Sequence, residues 1–594
     1  MTLVPRLKMY LNTAIPIPVV TGKISRQKTP SGTYVHYILE RVYDPKKKHT
    51  VPKRVIIGRV CPDNDKNMFP NERFFEYFPN TPLPELREEA KRCTTLKAGP
   101  YMVFDKIIKH YGIDKMAEKH FGKSAGLLLD LASYMVIEEQ NQGQHYPDYA
   151  YRRPLFTADM RIASDSAISR FFSGVTDAQI AGFLNDWNAE RDHSSRIYIS
   201  YDSTNKNCQA GDIDFVEFGK PKSDAGLPIV NLGLAYDKTN QVPLFYELYP
   251  GSINDVSQFR FFVDKALAYN YRNVGFILDR GYFSRANIAY MDEHKFAFVM
   301  MIKGCKPLVS SIIDEMQGSF EDSFRHSLRQ SGLSGVTVER KLFDRDCKER
   351  FFHLFFNPIK KGAERVRIEE EVARMQRVVA SFHSKPFEPS REYTEFFEFH
   401  FDKNGNLLFG EVRHDVVDAL YRRCGYFCIV TSEKMTAQQA YDLYRSRDAS
   451  EKIFRSDKTF LGSRSTRVHS GQAMAAKTFI EFVGLIIRQR FYTLLKNEMT
   501  KLPVKKNYMT VPAALRELDK IELVRINNVG YQLDHAVTKT QETILGAFGM
   551  TKEDVMQQAG VISTRLAEAD VQPHEDDYEE DAVDEEMMEE DCYA

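Results

Sequence analysis

The sequence predicts an α/β protein built on a mixed sheet, with a helical segment in front of the sheet and an acidic tail behind it. Three observations carry this prediction. From residue 196 onward the apolar runs read in the order β-β-β-α-β. Residues 96–195 instead repeat their apolar positions every three to four residues, the period of a helix. Charge is also segregated along the chain. The 594 residues carry a formal charge of −1, but residues 571–594 hold 12 of the 82 acids and no Lys or Arg. Residues 1–570 therefore carry 81 basic against 70 acidic residues, a net +11. An apolar content of 43% is enough to bury more than one core in a chain of this length.

Taken in order, residues 1–95 form a basic β-rich N-terminal region, where "YVHYILERVY", a "DPKKKHT" turn and "KRVIIGRV" alternate as a hairpin does. Lys23 to Val60 contains ten Lys and Arg against Glu40 and Asp44, a balance that suits a phosphate backbone and equally describes a solvated sheet face. Residues 96–195 are helical, and Ser164 and Thr176 stand where N-caps are expected. Their successive short helices fit either a helix-turn-helix or a bundle. Residues 196–304 supply the first part of the sheet. "RIYISYDSTN" is a strand with an acid near its end, and "LPIVNLGLAYDKTNQVPLFYELYPG" is two strands around a turn. "DVSQFRFFVDKALAYNY" is an amphipathic helix, "NVGFILDRGYFS" a buried strand ending in an acid, and "FAFVMMIKG" a further strand. Residues 305–435 are a β-rich insertion, with "YTEFFEFHFD" and "YFCIVTS" as strands around a charged helix. Residues 436–500 return to the core and contain a strong helix over 474–496. Residues 501–570 read as a small α/β region, and 571–594 as a disordered tail whose like charges repel.

Several classes are excluded at this level. The eight cysteines are scattered, and Cys424 and Cys428 form a lone C-x3-C without a second ligand pair, which points to reduced core thiols. The start, "MTLVPRLKMYLN", lacks the continuous apolar stretch of a secretory signal. "FIEFVGLIIRQRF" is interrupted by Glu481 and Arg488, so a membrane span is not expected. The expectation is a soluble, cytoplasmic protein.

The chemistry concentrates in "YRSRDASEKIFRSDK". Read as one helix, it places Tyr444, Arg447, Glu451 and Lys458 on a single stripe, which Ala440 and Phe454 turn towards protein. Arg447 and Glu451 could simply pair at i and i+4. The alternative is that the two cations meet phosphates while Glu451 meets a metal. Asp202 and Asp279 each follow an apolar strand and precede turn residues. Acids so placed are often no more than turn residues. Together with Glu451 they form three hard oxygen ligands, the set that holds two Mg²⁺ or Mn²⁺ roughly 3.5–4 Å apart.

These residues resemble a DDE transposase of the insertion-sequence type-four superfamily. Tyr444, Arg447, Glu451 and Lys458 fit its Y-x2-R-x3-E-x6-K signature, "DRGY" at Asp279–Tyr282 its second motif, and "DST" at Asp202–Thr204 its first. The resemblance implies an RNase H-like core interrupted by an insertion, with Asp202, Asp279 and Glu451 as catalytic metal ligands. Tyr444, Arg447 and Lys458 would be DNA contacts. It further implies Mg²⁺, with Mn²⁺ accepted, as cofactor, double-stranded DNA at element ends and target as partner, and a homodimer on DNA. One departure stands out: members that flip a base during hairpin formation use a tryptophan in the insertion, and the single tryptophan here is Trp187, upstream of Asp202. Two rival functions share these features, a structure-specific two-metal nuclease or resolvase and a non-catalytic DNA-binding descendant.

The charge segregation generates a first prediction. A tethered polyanion competes with DNA for a basic surface at high local concentration. Deleting residues 571–594 is expected to strengthen binding to random duplex, most at low salt. Matching affinities of full-length and truncated protein at two salt concentrations would leave the tail as a solubilising segment.

Overall fold

The computed structural model describes residues 14–571, apart from 30–31, 46–47, 62–63, 82–91, 211–212, 214, 220–226, 303–305, 344–345, 347, 449–460, 462–464, 502–508 and 527–528. The acidic tail beyond 571 lies outside the described residues. The chain divides into two compact units, Met1–Arg92 and Cys93–Ala594.

In the first unit, β1 (Ile15–Pro16), β2 (Ile24–Thr29), β3 (Gly32–Asp44), β4 (His49–Val60) and β5 (Asn67–Pro70) form an antiparallel sheet in the order β1-β5-β4-β3-β2. The expected hairpin is β3 and β4. Ile15, Val35, Ile57 and Met68 close a small core with Phe74 from the helix Glu72–Tyr77.

The second unit opens with β6 (Thr95–Lys97), then the helices Gly99–Tyr111, Ile113–Phe121, Ala125–Glu138, Tyr146–Tyr151, Asp165–Gly174 and Asp177–Ala189. Both expected caps form. The Ser164 hydroxyl accepts the Ala167 N–H, and Thr176 and Gln179 make a reciprocal capping box. The last of these helices packs as a bundle member, with Ile180, Phe183, Leu184 and Trp187 buried and Phe183 edge-on to Phe479 of the long helix Gly471–Lys501.

The sheet follows. β7 (Ile197–Asn207), β8 (Ile229–Asp237) and β9 (Val242–Pro250) are an antiparallel meander. After the helix Asp255–Ala268, β10 (Val274–Leu278) pairs parallel with β7 on its free edge, and β11 (Ala297–Met301) pairs parallel with β10. The spatial order β9-β8-β7-β10-β11 is that of an RNase H-like core. β12 (Ser327–Leu328), β13 (Leu333–Lys341) and β14 (Glu349–Phe356) come from the 305–435 segment. They do not build a sheet of their own. Once β15 (Phe397–Phe401) and β16 (Leu407–Val412) have paired off as a separate hairpin, β17 (Tyr426–Thr431) pairs with both β11 and β14, and the core sheet grows to nine strands. One strand expectation is shortened: Arg391–Phe396 is a helix, and strand begins only at Phe397. Tyr393, a good strand former, is used instead to pack edge-on to Phe387.

The chain closes with the helix Val511–Leu518, β18 (Glu522–Ile526), β19 (Gly530–Leu533) and the helices Lys539–Ala547 and Lys552–Val571. β18 pairs with β6, so the two ends of the second unit share a sheet. Buried Arg153 reinforces this join by donating to both carboxylate oxygens of Asp519, at 2.5 and 2.9 Å. Cys424 and Cys428 are buried free thiols, and burial pushes both up, as expected of core cysteines.

The helix Gly471–Lys501 has 31 residues, about 46 Å at 1.5 Å per residue. It is buried on nearly every face. One of the charges that interrupt its apolar run, Glu481, is answered inside the protein, accepting from Lys206 on β7 and from Asn141. No described helix is long and apolar enough to cross a membrane. Lys206 and Glu481 are both almost fully buried, so removing one leaves the other's charge without its main counter-ion. Lys206→Met alone is expected to cost about 3–5 kcal/mol. Adding Glu481→Leu should recover most of that loss, as read by calorimetric melting of the two variants.

Candidate active site

The site begins with a strand that stops. In the parallel register of β10 and β7, Leu278 lies opposite Tyr201, and β10 ends there. The next residue along each chain is an aspartate, Asp202 on β7 and Asp279 after β10. The expectation that Asp202 ends its own strand is corrected here: β7 continues to Asn207, and Asp202 pairs with Leu234 on β8. Its neighbour is what ends. Asp202 is the first residue of β7 beyond the β10 pairing, and this frees the space beside it while the backbone stays clamped from the β8 side.

Alternation along β7 sends Tyr201 and Asp202 to opposite faces. Tyr201 stacks on Phe262 of the helix Asp255–Ala268, with centroids 3.8 Å apart, and lies 5.2 Å from the ring of Tyr282. Gly233 permits this, since a Cβ there would sit 2.5 Å from the Tyr201 hydroxyl. Burial pushes the phenols of Tyr201 and Tyr282 far up, so both stay neutral. Asp202 shares its face with Lys206, which points to the helix Gly471–Lys501. The Ser203 N–H donates to Asp202 Oδ1 at 2.8 Å. Asp279 precedes a single tight turn, Arg280–Tyr282, with the Tyr282 N–H returning to its carbonyl.

The opposite wall is the end of the helix Ala437–Arg445, which starts at a Thr436–Gln439 capping box and buries Ala440. The expected continuous helix through Lys458 is corrected at this point. The helix closes at Ser446, whose N–H reaches back to the carbonyls of Asp442, Leu443 and Tyr444 and whose hydroxyl donates to Leu443. That local side-chain bond tightens the last turn and competes with helix propagation. The Arg447 N–H bonds the Tyr444 carbonyl at 3.0 Å, so the two side chains remain neighbours, with the guanidinium 5.8 Å from the ring centre.

Each of these side chains meets one aspartate. The Tyr444 hydroxyl donates to Asp279 Oδ1 at 3.4 Å, and Arg447 Nη1 donates to Asp202 Oδ2 at 3.5 Å. Asp202 and Arg447 keep only 15% and 18% of their side-chain surface exposed. Burial, and then the charge of Asp279, push the Tyr444 phenol up to about 12, so it remains a donor at neutral pH. Four of the six expected residues thus come together: Asp202, Asp279, Tyr444 and Arg447. Glu451 and Lys458 lie outside the described residues. Asp202 on β7 and Asp279 just after β10 offer carboxylate oxygens, hard donors of the kind a divalent cation takes, and among the described residues no third such ligand joins them.

Residues 196–486 match the family model of a transposase DDE domain. The matched segment takes in the five core strands, both aspartates, Tyr444 and Arg447, and ends within the long helix. No curated protein matches the chain significantly. Among solved structures, the cryo-EM structure of the piggyBac transposase synaptic complex with hairpin DNA aligns with a TM-score of 0.30 at 8% identity. That alignment covers 70% of this chain and 66% of the piggyBac chain, just under two thirds of its length.

The layer behind the two aspartates was not legible in the sequence. The Tyr249 hydroxyl donates to Asp255 Oδ1 at 2.7 Å behind β7, and Tyr201 and Tyr282 pack beside it. In sequence Asp255 is an ordinary acid in the first turn of a helix, and Tyr201 an ordinary alternating strand residue. Tyr282 falls in the "DRGY" motif, the one signal that marked any of this layer.

The long Tyr444–Asp279 bond contributes little to stability. Tyr444→Phe is therefore expected to shift the melting temperature hardly at all. Tyr444→Ala, which also removes a ring partly buried against the cluster of Val299, Leu328, Leu333, Phe355 and Ile429, should destabilise clearly more. A large melting shift in the Phe variant would show that the hydroxyl, and not the ring, secures this wall.

Proposed function

We propose that this protein is a transposase that binds the ends of a mobile DNA element, cleaves them and transfers strands into target DNA by a two-metal mechanism. The supporting observation is the placement of Asp202 and Asp279 at the same level of two adjacent parallel strands, inside a segment that matches a transposase DDE domain. The reading places the protein in the insertion-sequence type-four group on its Y-R-E-K signature, acting as a homodimer on double-stranded DNA.

In this reading Asp202, Asp279 and Glu451 hold two Mg²⁺, with Mn²⁺ accepted. The bound ions supply activation of the attacking water or 3′-hydroxyl and charge stabilisation at the leaving oxygen. The chain's own side chains do the positioning. Arg447 bonds one oxygen of Asp202 and Tyr444 one oxygen of Asp279. A phosphodiester offers Arg447 a second anionic partner, and in this reading Arg447, Tyr444 and Lys458 hold the cleaved strand. Trp187 takes no part: it is fully buried and its indole N–H donates to the Pro243 carbonyl.

The test is a cleavage and strand-transfer assay with the DNA flanking the gene and Mg²⁺. Asp202→Asn, Asp279→Asn and Glu451→Gln are each expected to reduce cleavage to background while leaving end binding intact. Arg447→Ala and Lys458→Ala are expected to weaken both. Wild-type cleavage without joining would favour a structure-specific nuclease or resolvase, and undiminished cleavage by the aspartate variants would sink the two-metal assignment.

A further inference from the structure

In the first unit, β3 and β4 outrun their neighbours. β2 pairs with β3 only as far as Tyr37, and β5 pairs with β4 only over Gly58–Val60. From Glu40 to Asp44 and from His49 to Lys53 the two strands pair only with each other among the described residues. This makes a two-stranded arm about 17 Å long at roughly 3.4 Å per residue. Arg41 lies opposite Pro52 and Tyr43 opposite Thr50, and alternation along β4 adds Arg54 to that face. Arg41 and Arg54 are diagonal neighbours, about 7–8 Å apart. The other face carries Glu40 against Lys53, ion-paired at 3.3 Å, then Val42 against Val51. Among the described side chains, one face therefore presents cations with no acid among them, and on the other the Lys53 cation is ion-paired. Arg41 and Arg54 are exposed, and Tyr43 keeps 61% of its surface in solvent. Exposed Lys48 stands at the turn, where Lys46 and Lys47 precede it in sequence.

We propose that this arm seats in the major groove of double-stranded DNA, with the Arg41–Tyr43–Arg54 face towards the nucleic acid. A two-stranded ribbon fits a groove about 12 Å wide, whereas the deep, narrow major groove of A-form RNA does not admit one. The arginines meet phosphates at the groove edge, and the tyrosine offers a ring and a hydroxyl beside them. The proposal rests on the transposase reading only in taking DNA as the ligand. A free edge guarded by Pro52 and cations is also a device against edge-to-edge association, and the test separates the two roles.

The test uses the full-length protein, a short random-sequence DNA duplex, the matching RNA duplex and anionic vesicles, with binding followed by fluorescence anisotropy between about 50 and 200 mM salt. Arg41→Ala/Arg54→Ala is compared with Glu40→Ala/Lys53→Ala on the opposite face, after melting curves show that both remain folded. Two lost phosphate contacts should lower the slope of log affinity against log salt by about 1.8, so the first variant's loss of affinity across that range is about tenfold smaller than the wild type's. The second variant should keep the wild-type slope, and DNA duplex should bind better than RNA duplex or vesicles. An unchanged slope in the first variant, equal losses in both variants, or equal affinity for DNA and RNA duplexes would each overturn the proposal. Cleavage measured on the same samples keeps the two readings apart. A wild type that binds but never cuts refutes the transposase reading alone, and a wild type that cuts while the arm variant binds normally refutes the arm alone.

Discussion

The parallel register between β7 and β10 is the constraint on which the site depends. With Leu278 opposite Tyr201, the residues that follow are both aspartates, and β10 has no further residue to fill the space beside Asp202. A slip of one residue would exchange the faces of β7, sending Asp202 into the aromatic layer and Tyr201 into the site. The surrounding structure holds the register from both faces. On one, Tyr201 is trapped between Phe262 and Tyr282, and on the other Lys206 is tied to Glu481 of the long helix. Neither contact can survive a slip, because each needs its residue on its own side of the sheet.

The second wall is delivered by topology. β17 pairs with β11 and β14 after a long excursion of the chain, and the helix Ala437–Arg445 follows it directly, packed against β10, β11, β13, β14 and β17. Tyr444 and Arg447 therefore return to aspartates that lie 165 and 245 positions earlier in the sequence. The 305–435 segment helps set this wall, since its strands extend the sheet against which the helix packs. A guanidinium and a phenol that stays protonated are thereby set against the two carboxylates.

Local chemistry was read well wherever it acts over a few residues. Ser164 and Thr176 cap helices because a hydroxyl reaches an N–H three residues on, and the "DKTN" turn forms because Asp237 accepts from the N–H groups of Thr239 and Asn240. The failures share one cause. Asp202 looked like a strand end because turn-forming residues follow it, but β8 supplies a partner for every residue as far as Asn207. Tyr393 looked like a strand residue because aromatic side chains favour strands, but a ring contact with Phe387 uses it in a helix.

By itself the sequence determined the order of elements, the caps, the segregated charge and the residues with the chemistry for the site, because each is expressed in periodicity, spacing or side-chain type over short distances. Tertiary structure alone decided that β10 stops one residue short of the aspartates, that the 305–435 segment joins the core sheet, and that Lys206 answers the charge of Glu481 in the core. It also decided that Tyr444 and Arg447 each meet an aspartate from a distant part of the chain. These are long-range outcomes. They depend on which strand edge is free to pair and which buried charge finds a partner, and neither property belongs to any stretch of sequence taken alone.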